Sequence, residues 1–265
     1  FVFVGGRALP YLVAATGFLS AIAMMTLVSP PAVRQHRPIG ARKVIRDAFE
    51  GLRFIRRTPI VFGAITLDLV AMFFGGVIAL LPAIAEKRLG VGAVGLGWLR
   101  ASIGLGAAGT ALILSIRPLR RHVGQRLLTM VAIFGILTIV LGLTRSFVIT
   151  FIALVAAASV DTVSLFIRNF LVPVATPEDM RGRVLAAENM FIGASNELGA
   201  FESGATAALF GLAGAIIFGG AGTLVVAVLW WRFFPALRTV DRFEEVRSTS
   251  TSPDGIAGGP QHDRT

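Results

Sequence analysis

The sequence predicts an all-α integral membrane protein, built as a bundle of transmembrane helices. Of its 265 residues, 55% are hydrophobic and only 15% are charged, and the mean hydropathy is +0.77. A soluble domain carries a larger charged fraction. The apolar residues also fall into runs of about 20, the length that crosses a bilayer as a helix. Basic residues punctuate these runs, as they do in the loops of multi-pass proteins.

Seven runs are long enough to span a membrane. They cover residues 8–28, 60–83, 95–116, 127–143, 147–174, 181–211 and 213–231. The chain begins with Phe1, and its first apolar run lacks the basic flank and cleavage site of a signal peptide. We therefore expect a piece of a longer protein. Residues 236–265 are rich in Ser, Thr, Gly and charge, which predicts a disordered tail.

A long basic connection, residues 32–59, follows the first span and contains eight Lys and Arg residues. Apolar side chains recur in it at helical spacing, from Val44 through Phe49 to Ile55, opposite a charged face. This pattern is typical of an amphipathic helix that lies at the membrane interface. A solvated linker helix without membrane contact is the alternative.

The basic residues also predict the orientation of the chain. The loops and tail on one side hold nineteen Lys and Arg residues, whereas those on the other side hold four. Because basic loops remain in the cytoplasm, the first side and the C-terminus are predicted to be cytoplasmic. Trp230 and Trp231, at the end of the seventh span, are placed like an interfacial anchor.

The sixth span carries a polar stripe within an otherwise apolar segment. Glu188 and Glu202 repeat at a spacing that puts them on one line of a helix, with Asn189 and Asn196 one step round and Glu197 at the edge. A charge at the bilayer centre costs roughly 2.5–3.5 kcal/mol on insertion scales, so such acids normally face an aqueous cavity. The stripe, with Gly199 on its wet side, therefore predicts a transport pathway. Polar contacts between packed helices are the alternative.

Charged residues are confined to the second, third, fifth and sixth spans, while the other three carry none. This predicts that the charged spans line a cavity and that the charge-free ones face lipid, for example at Ile136 and Val226. The second span contains Asp68. The fifth contains Asp161 and Arg168, seven residues apart on one face. An ion pair between these two would hold the acid ionised, and a purely structural pair is an equal alternative.

The third span contains Gly104, Gly106 and Gly109 in the run GLGAAG. A dinucleotide-binding fingerprint would need a preceding strand and a later acidic residue, and the sequence has neither. Glycines at this density in an apolar helix instead predict close packing against a neighbouring helix.

Three segments carry a resemblance to a known family: EGLRFIRRTP before the second span, VPVATPEDMRGRV after the fifth, and NELGAFESG in the sixth. With the order of spans and loops, they resemble the C-terminal half of a major facilitator superfamily transporter, of the enterobactin exporter and transmembrane secretion effector branch. The resemblance implies a major-facilitator-type bundle with the following division of the chain. Residues 1–31 would be the last helix of the N-terminal half, 32–59 the central cytoplasmic loop, 60–235 the six-helix C-terminal half and 236–265 the cytoplasmic tail.

One loop departs from the family pattern. The segment IRPLRRHVGQR keeps Gly124 and Arg126 of the family motif. It has Arg121 and His122 at the two positions where the motif has Asp and Arg. The resemblance implies a conformational gate in this loop, while the basic residues retain its positive charge. On the same side, the sequence predicts a cytoplasmic anchor or gate formed by Arg181 and Arg183, with Glu178 or Asp179 as acidic partners.

Together these patterns predict a secondary active transporter, an exporter that works by alternating access and is driven by protons. Acids in a partly dehydrated cavity would load and release protons as access changes. The expected pathway and coupling residues are Asp68, Asp161, Arg168, Glu188, Asn189, Asn196, Glu197 and Glu202. The expected partners are membrane lipid, a small-molecule substrate such as a siderophore or amphipathic drug, protons, and the N-terminal half of the same transporter.

The sequence also excludes several classes of function. There is no cysteine, and the three histidines form no ligand cluster, so no metal and no cofactor is expected. The basic excess lies in loops between spans, so we expect no nucleic acid partner. The expected location is the cell membrane, and the chain is not expected to be an enzyme. Two alternatives remain open: a membrane-embedded lipid-modifying enzyme, and a half that assembles with a partner without transporting.

Overall fold

A computed structural model of the protein describes residues 9–27, 41–117, 119 and 121–241. Every regular element in these ranges is a helix, as the composition predicts. The chain divides into two compact units, Phe1–Val44 and Ile45–Thr265. Helix α1 (Leu9–Leu27) is apolar along its length and belongs to the first unit. The elements described below belong to the second unit, apart from the first residues of α2.

The second unit is a bundle of long apolar helices joined by short connections. In chain order these are α2 (Ala41–Arg57), α3 (Pro59–Phe74), α4 (Val77–Ala83), a π-helical turn (Ile84–Arg88), α5 (Gly92–Ile116), α6 (Val123–Leu143), α7 (Phe147–Val174), α8 (Glu178–Phe233) and α9 (Pro235–Arg238). Among the described residues, five helical stretches are long and apolar enough to cross a membrane, with α3, α4 and the π-turn forming one of them.

Helix α8 is 56 residues long and covers the sixth and seventh predicted spans, with a kink between them. Its backbone leaves helical geometry at Gly211, where φ is +73° and ψ is 168°. A positive φ of this kind is favourable only for glycine. Helix α8 therefore consists of two limbs, residues 178–210 and 212–233. The sequence places the boundary between the two spans at this glycine.

The bundle is closed by two apolar clusters at opposite ends. One gathers side chains from the starts of α3 and α6 and the end of α7, with Val61, Leu127 and Leu171 fully buried. The other gathers side chains from α4 and the π-helical turn, the starts of α5 and α7, the end of α6 and the middle of α8. In this cluster Leu99 and Ile216 are fully buried. Successive helices alternate in direction between these two ends, as the topology predicted from the basic loops requires.

Glycines allow close packing between helices at several crossings. Of the three glycines that the sequence singles out in α5, only Gly106 does so, since a Cβ on Gly104 or Gly109 would meet nothing within 4 Å. A Cβ atom on Gly106 would overlap the carbonyl oxygen of Val155 on α7. Between α6 and the second limb of α8, a Cβ on Gly135 would lie 3.0 Å from the carbonyl oxygen of Gly220. The two charge-free spans therefore pack against each other through a small-residue contact.

The partition between lipid-facing and cavity-lining helices needs one correction at the level of residues. Ile136 is exposed, as expected, but Val226 is only 4% exposed and lies in the apolar core. A charge-free helix here has one outward face and one packed face. Trp230 also points inward, because its indole N–H donates to the carbonyl oxygen of Gly63 at 3.0 Å. Trp230 is thus a packing residue, while Trp231 is exposed, and an interfacial anchor at the end of this span stays a prediction.

Residues 236–241, assigned by the sequence to a disordered tail, are ordered and pack beneath α6. Leu237 is fully buried, and the amide of Gly124 donates to the carbonyl oxygen of Val240 at 3.1 Å. A Cβ on Gly124 would overlap the carbonyl oxygen of Leu237. The segment thus satisfies backbone donors at the start of a helix that would otherwise be unpaired. The rest of the predicted tail, 242–265, lies outside the described residues.

Helix α2 forms where the amphipathic pattern predicts a helix, and its described end is partly packed on protein. Ile55 is buried in the first apolar cluster. A Cβ on Gly51 would lie 3.0 Å from the carbonyl oxygen of Arg183. Phe49 is exposed. The last turns of α2 therefore dock on the start of α8, and the position of this helix at the membrane interface stays a prediction.

Candidate functional site: a buried cation between two acids

The site is centred on Arg168, the largest fully buried side chain among the described residues. Its Nη1 atom forms an ion pair with Oδ2 of Asp68 on α3. Its Nε atom donates to the carbonyl oxygen of Ser164, one turn back on α7, at 3.5 Å. Arg168 and Asp68 are 2% and 7% exposed. A buried charge of this kind persists only if it is paired and hydrogen-bonded.

A second buried acid, on a third helix, lies within electrostatic range of the same cation. Glu188, in the first limb of α8, is 7% exposed, and its charge interacts with that of Arg168. Among the described residues it has no hydrogen-bond or ion-pair partner of its own. One guanidinium is therefore shared electrostatically by two carboxylates, of which only Asp68 forms the direct pair.

This arrangement corrects the ion pair predicted within the fifth span. Asp161 and Arg168 share a face of α7, but the guanidinium contacts Asp68 on another helix. The sequence alone could not choose between these acids, because Asp68 comes next to Arg168 only through the packing of α3 and α7. Arg168, Asp68 and Glu188 are all buried, and their role in a transport pathway stays a prediction.

Asp161 instead borders two adjoining apolar cavities, the first between α3, α6 and α7 and the second between α4, α5, α6 and α7. One has a volume of about 70 Å³ and is also lined by Asp68 and Ser164. The other has a volume of about 90 Å³ and is lined by Thr138 and Thr162 beside Asp161. Volumes of this size accommodate water molecules. The two acids therefore border one small cavity, one of them paired and the other with no ion-pair partner among the described residues.

The polar stripe on the first limb of α8 does not have a uniform environment. Asn189, Asn196 and Glu197 are exposed at the surface of the bundle, whereas Glu188 is buried. Glu202 is half-buried and accepts a hydrogen bond from Ser203 Oγ at 3.4 Å. The stripe therefore includes both exposed and buried side chains.

The predicted position of Gly199 on the wet side of the stripe is wrong. Gly199 lies on the side of α8 that packs against α3. A Cβ there would come within 2.8 Å of the carbonyl oxygen of Met72 and 2.9 Å of that of Phe73. The backbones of α3 and α8 approach closely at this point, beside the break at Gly75 and Gly76 that separates α3 from α4. A polar helical face in the sequence does not by itself distinguish water from a neighbouring backbone.

At the other end of α8, the predicted basic anchor has different partners from those expected. Arg183 Nη1 pairs with Oε2 of Glu50 on α2 at 2.7 Å, and Arg181 Nε donates to the carbonyl oxygen of Pro173 at 3.1 Å. Glu178 and Asp179 are exposed and form no ion pair within the described ranges. Arg183 and Asp179 do line one open cleft with Glu50. Sequence reasoning missed Glu50 because it lies in the central loop, 133 positions away.

The loop that departs from the family pattern receives an acid from elsewhere. Arg121 and Arg126 are exposed. The amide of His122 donates to Oδ1 of Asp241 at 2.9 Å, and His122 has a left-handed backbone with φ of 56°. Asp241 thus brings a carboxylate next to this turn. No signal in the sequence pointed to Asp241.

Five helical stretches of membrane-spanning length and a buried ion pair between α3 and α7 define a helical integral membrane protein. A family model described as transmembrane secretion effector matches residues 1–257. The chain belongs to this family of the major facilitator superfamily, as its motifs predict. No solved structure matches the chain.

Curated relatives include enterobactin exporters from several strains of Escherichia coli. The enterobactin exporter EntS of strain O157:H7 is 26% identical over 260 residues, covering 95% of this chain and 59% of the relative. That of O1:K1 is 27% identical over 259 residues, covering 94% and 58%. The chain therefore spans somewhat more than half the length of these relatives. They are named as exporters, in agreement with the expectation that the chain is not an enzyme.

Proposed function

We propose that the chain forms part of a proton-coupled exporter of a small amphipathic molecule, such as a siderophore, that works by alternating access. Family membership and the exporters among its relatives support export. The observation that carries the coupling is the sharing of Arg168 by Asp68 and Glu188. Such groups in transmembrane helices mark substrate, ion and proton pathways.

The charge balance of the site explains why it would bind a proton. With both acids ionised, the site holds two negative charges and one positive charge in a dehydrated environment. The penalty for burying each ion is several kcal/mol, even after structural relaxation. A proton on one acid leaves a neutral ion pair and a neutral carboxyl group, which is the less costly state. Asp161, on the adjoining cavity, is a further proton site in this proposal.

The exposed polar side of α8 supplies the substrate pathway in this proposal. Asn189, Asn196 and Glu197 are unfavourable against lipid hydrocarbon, so their side of α8 would face water and a further helical half of the transporter. Glu202 would lie deeper along the same pathway. The excess of basic residues in the loops supports a cytoplasmic location for the end of α2 that carries Glu50, the start of α8 that carries Arg183, and the C-terminus.

Transport in liposomes tests the proposal. Purified protein is reconstituted with an entrapped pH indicator, and enterobactin and the cation tetraphenylphosphonium are offered as probes. We expect transport of at least one probe together with dissipation of the pH gradient, and loss of uphill transport when the gradient is collapsed. Glu188→Gln should lose this coupling, while Glu86→Gln, at an exposed acid outside the cavities, should keep it. Transport indifferent to the gradient would contradict the proposal.

A further inference from the structure

The contact between α7 and its neighbours is uneven. Helix α7 packs closely along α5 and α6, but it touches α3 and α8 at few positions. Helix α3 in turn packs along α8. A sparsely packed seam therefore separates α7 from the pair formed by α3 and α8. The Asp68–Arg168 ion pair crosses this seam, and the cavity lined by Asp161 and Ser164 lies beside it.

The two acids at the seam, Asp68 and Glu188, differ in whether they have an ion-pair partner. Both are 7% exposed, but Asp68 holds the guanidinium and Glu188 has no partner among the described residues. Both belong to the packed pair α3 and α8, so both lie across the seam from Arg168. One buried positive charge thus lies within electrostatic range of two acids of equal exposure.

We propose that Arg168 exchanges partners between Asp68 and Glu188, and that the acid without the guanidinium carries the proton. An O–H bond forms on the carboxylate that loses the cation and breaks on the carboxylate that gains it. The proton comes from water on one side and returns to water on the other. The site holds one positive and one negative charge in both states, so the exchange avoids an unpaired buried ion. The role of this exchange in transport rests on the proposed function.

Other charged groups around the site do not replace these partners. Asp161, on α7 itself, borders the cavity next to Asp68. Glu202, further along α8, is half-buried and hydrogen-bonded to Ser203. Arg100 on α5 and Arg126 on α6 have exposed side chains. Among the described residues, the exchange is therefore confined to the three groups on α3, α7 and α8.

A double-variant cycle tests the exchange without any assay of transport. Asp68→Asn should fold, because Glu188 takes the guanidinium, and Glu188→Gln should fold, because Asp68 already holds it. The double variant leaves a buried cation with neither acid. We expect its yield of folded, monodisperse protein to fall at least tenfold below the product of the two single effects. The matched control is Asp68→Asn with Glu202→Gln, which should be additive.

Thiol labelling measures movement at the seam, since the chain contains no cysteine. Ser164 is 5% exposed and lies on the cavity, so Ser164→Cys should react slowly with a small maleimide. Combining it with Asp68→Asn should raise the rate at least tenfold, because Arg168 then turns from α3 towards Glu188. Combining it with Glu188→Gln should leave the rate unchanged or lower, because Arg168 stays on Asp68.

The results separate this inference from the proposed function. An Asp68→Asn variant that does not fold, an additive double variant or equal labelling rates would each overturn the exchange. If the cycle and the labelling behave as expected but liposomes show no proton coupling, the exchange stands and the proposed function fails. If transport is proton-coupled but Glu188→Gln retains full coupling, proton-coupled export stands, while its coupling through Glu188 and the exchange both fail.

Discussion

Arg168 on α7 and Asp68 on α3 form a buried ion pair, in which Arg168 is 2% exposed and Asp68 is 7% exposed. Because the pair joins two helices that otherwise touch little, its effect on stability should be measurable and specific. Glu188 on α8 lies within electrostatic range of the same cation and has no hydrogen-bond or ion-pair partner among the described residues. The first prediction concerns this pair.

Replacing Arg168 with Met should strongly destabilise the protein, because it leaves two buried acids without a cation. Loss of one partner of a buried pair typically costs about 3–5 kcal/mol. The thermal midpoint in detergent, followed by loss of monodisperse protein, measures the effect. Arg168→Lys keeps the charge and should be milder.

The matched rescue is Arg168→Met combined with Asp68→Leu. Replacing a buried ion pair by apolar side chains of similar volume is often neutral or stabilising. The double variant should therefore recover much of the stability lost in Arg168→Met alone. A double variant less stable than both singles would show that the pair does not set the stability of this seam.

The contact between Gly124 and Leu237 predicts a sharp requirement for glycine. Gly124→Ala would place a Cβ on the carbonyl oxygen of Leu237, so the segment 235–241 should detach from the start of α6. Trypsin should then cleave after Arg238, which is protected when the segment is docked. Gly182→Ala is the control, since a Cβ there meets nothing within 4 Å. Equal cleavage of both variants would contradict the docking.

Tryptophan substitution distinguishes the outward and packed faces of the charge-free helices. Ile136 and Val228 are 51% and 67% exposed, whereas Val226 is 4% exposed. Ile136→Trp and Val228→Trp should leave folded yield nearly unchanged, and Val226→Trp should reduce it severely, because overpacking displaces neighbours. Gly199→Trp should also fail, through overlap with the backbone of α3. Tolerance of Val226→Trp would contradict the core described here.

The orientation inferred from the basic loops is tested by labelling single cysteines in intact cells. Ala93→Cys, at the exposed start of α5, should react with an impermeant thiol reagent. Thr239→Cys, exposed in the C-terminal segment, should react only after lysis. Ala93 is preferable to its neighbour Gly92, whose φ of +62° favours glycine. The reverse pattern would invert the predicted topology.

The sequence alone determined the class of protein and where most of the long helices lie, although the count of seven spans is not confirmed. Apolar runs of bilayer length fix where helices form, because the hydrogen bonds of a helix are local and need no partner element. The fifth span, predicted at 147–174, begins and ends at those residues, and Gly211 marks the junction predicted between the last two spans. Helical periodicity likewise placed Glu188 and Asp161 on faces that could be polar.

Only the tertiary structure decided which charges meet. Periodicity relates residues within one helix, so it offered Asp161 as the partner of Arg168. The rotation and crossing of α3 against α7 instead bring Asp68 to the guanidinium. The same limit hid the contacts of Glu50 with Arg183 and of Asp241 with His122, which join segments far apart in the chain. Long-range contacts depend on how whole helices pack, and that packing is a property of many side chains together.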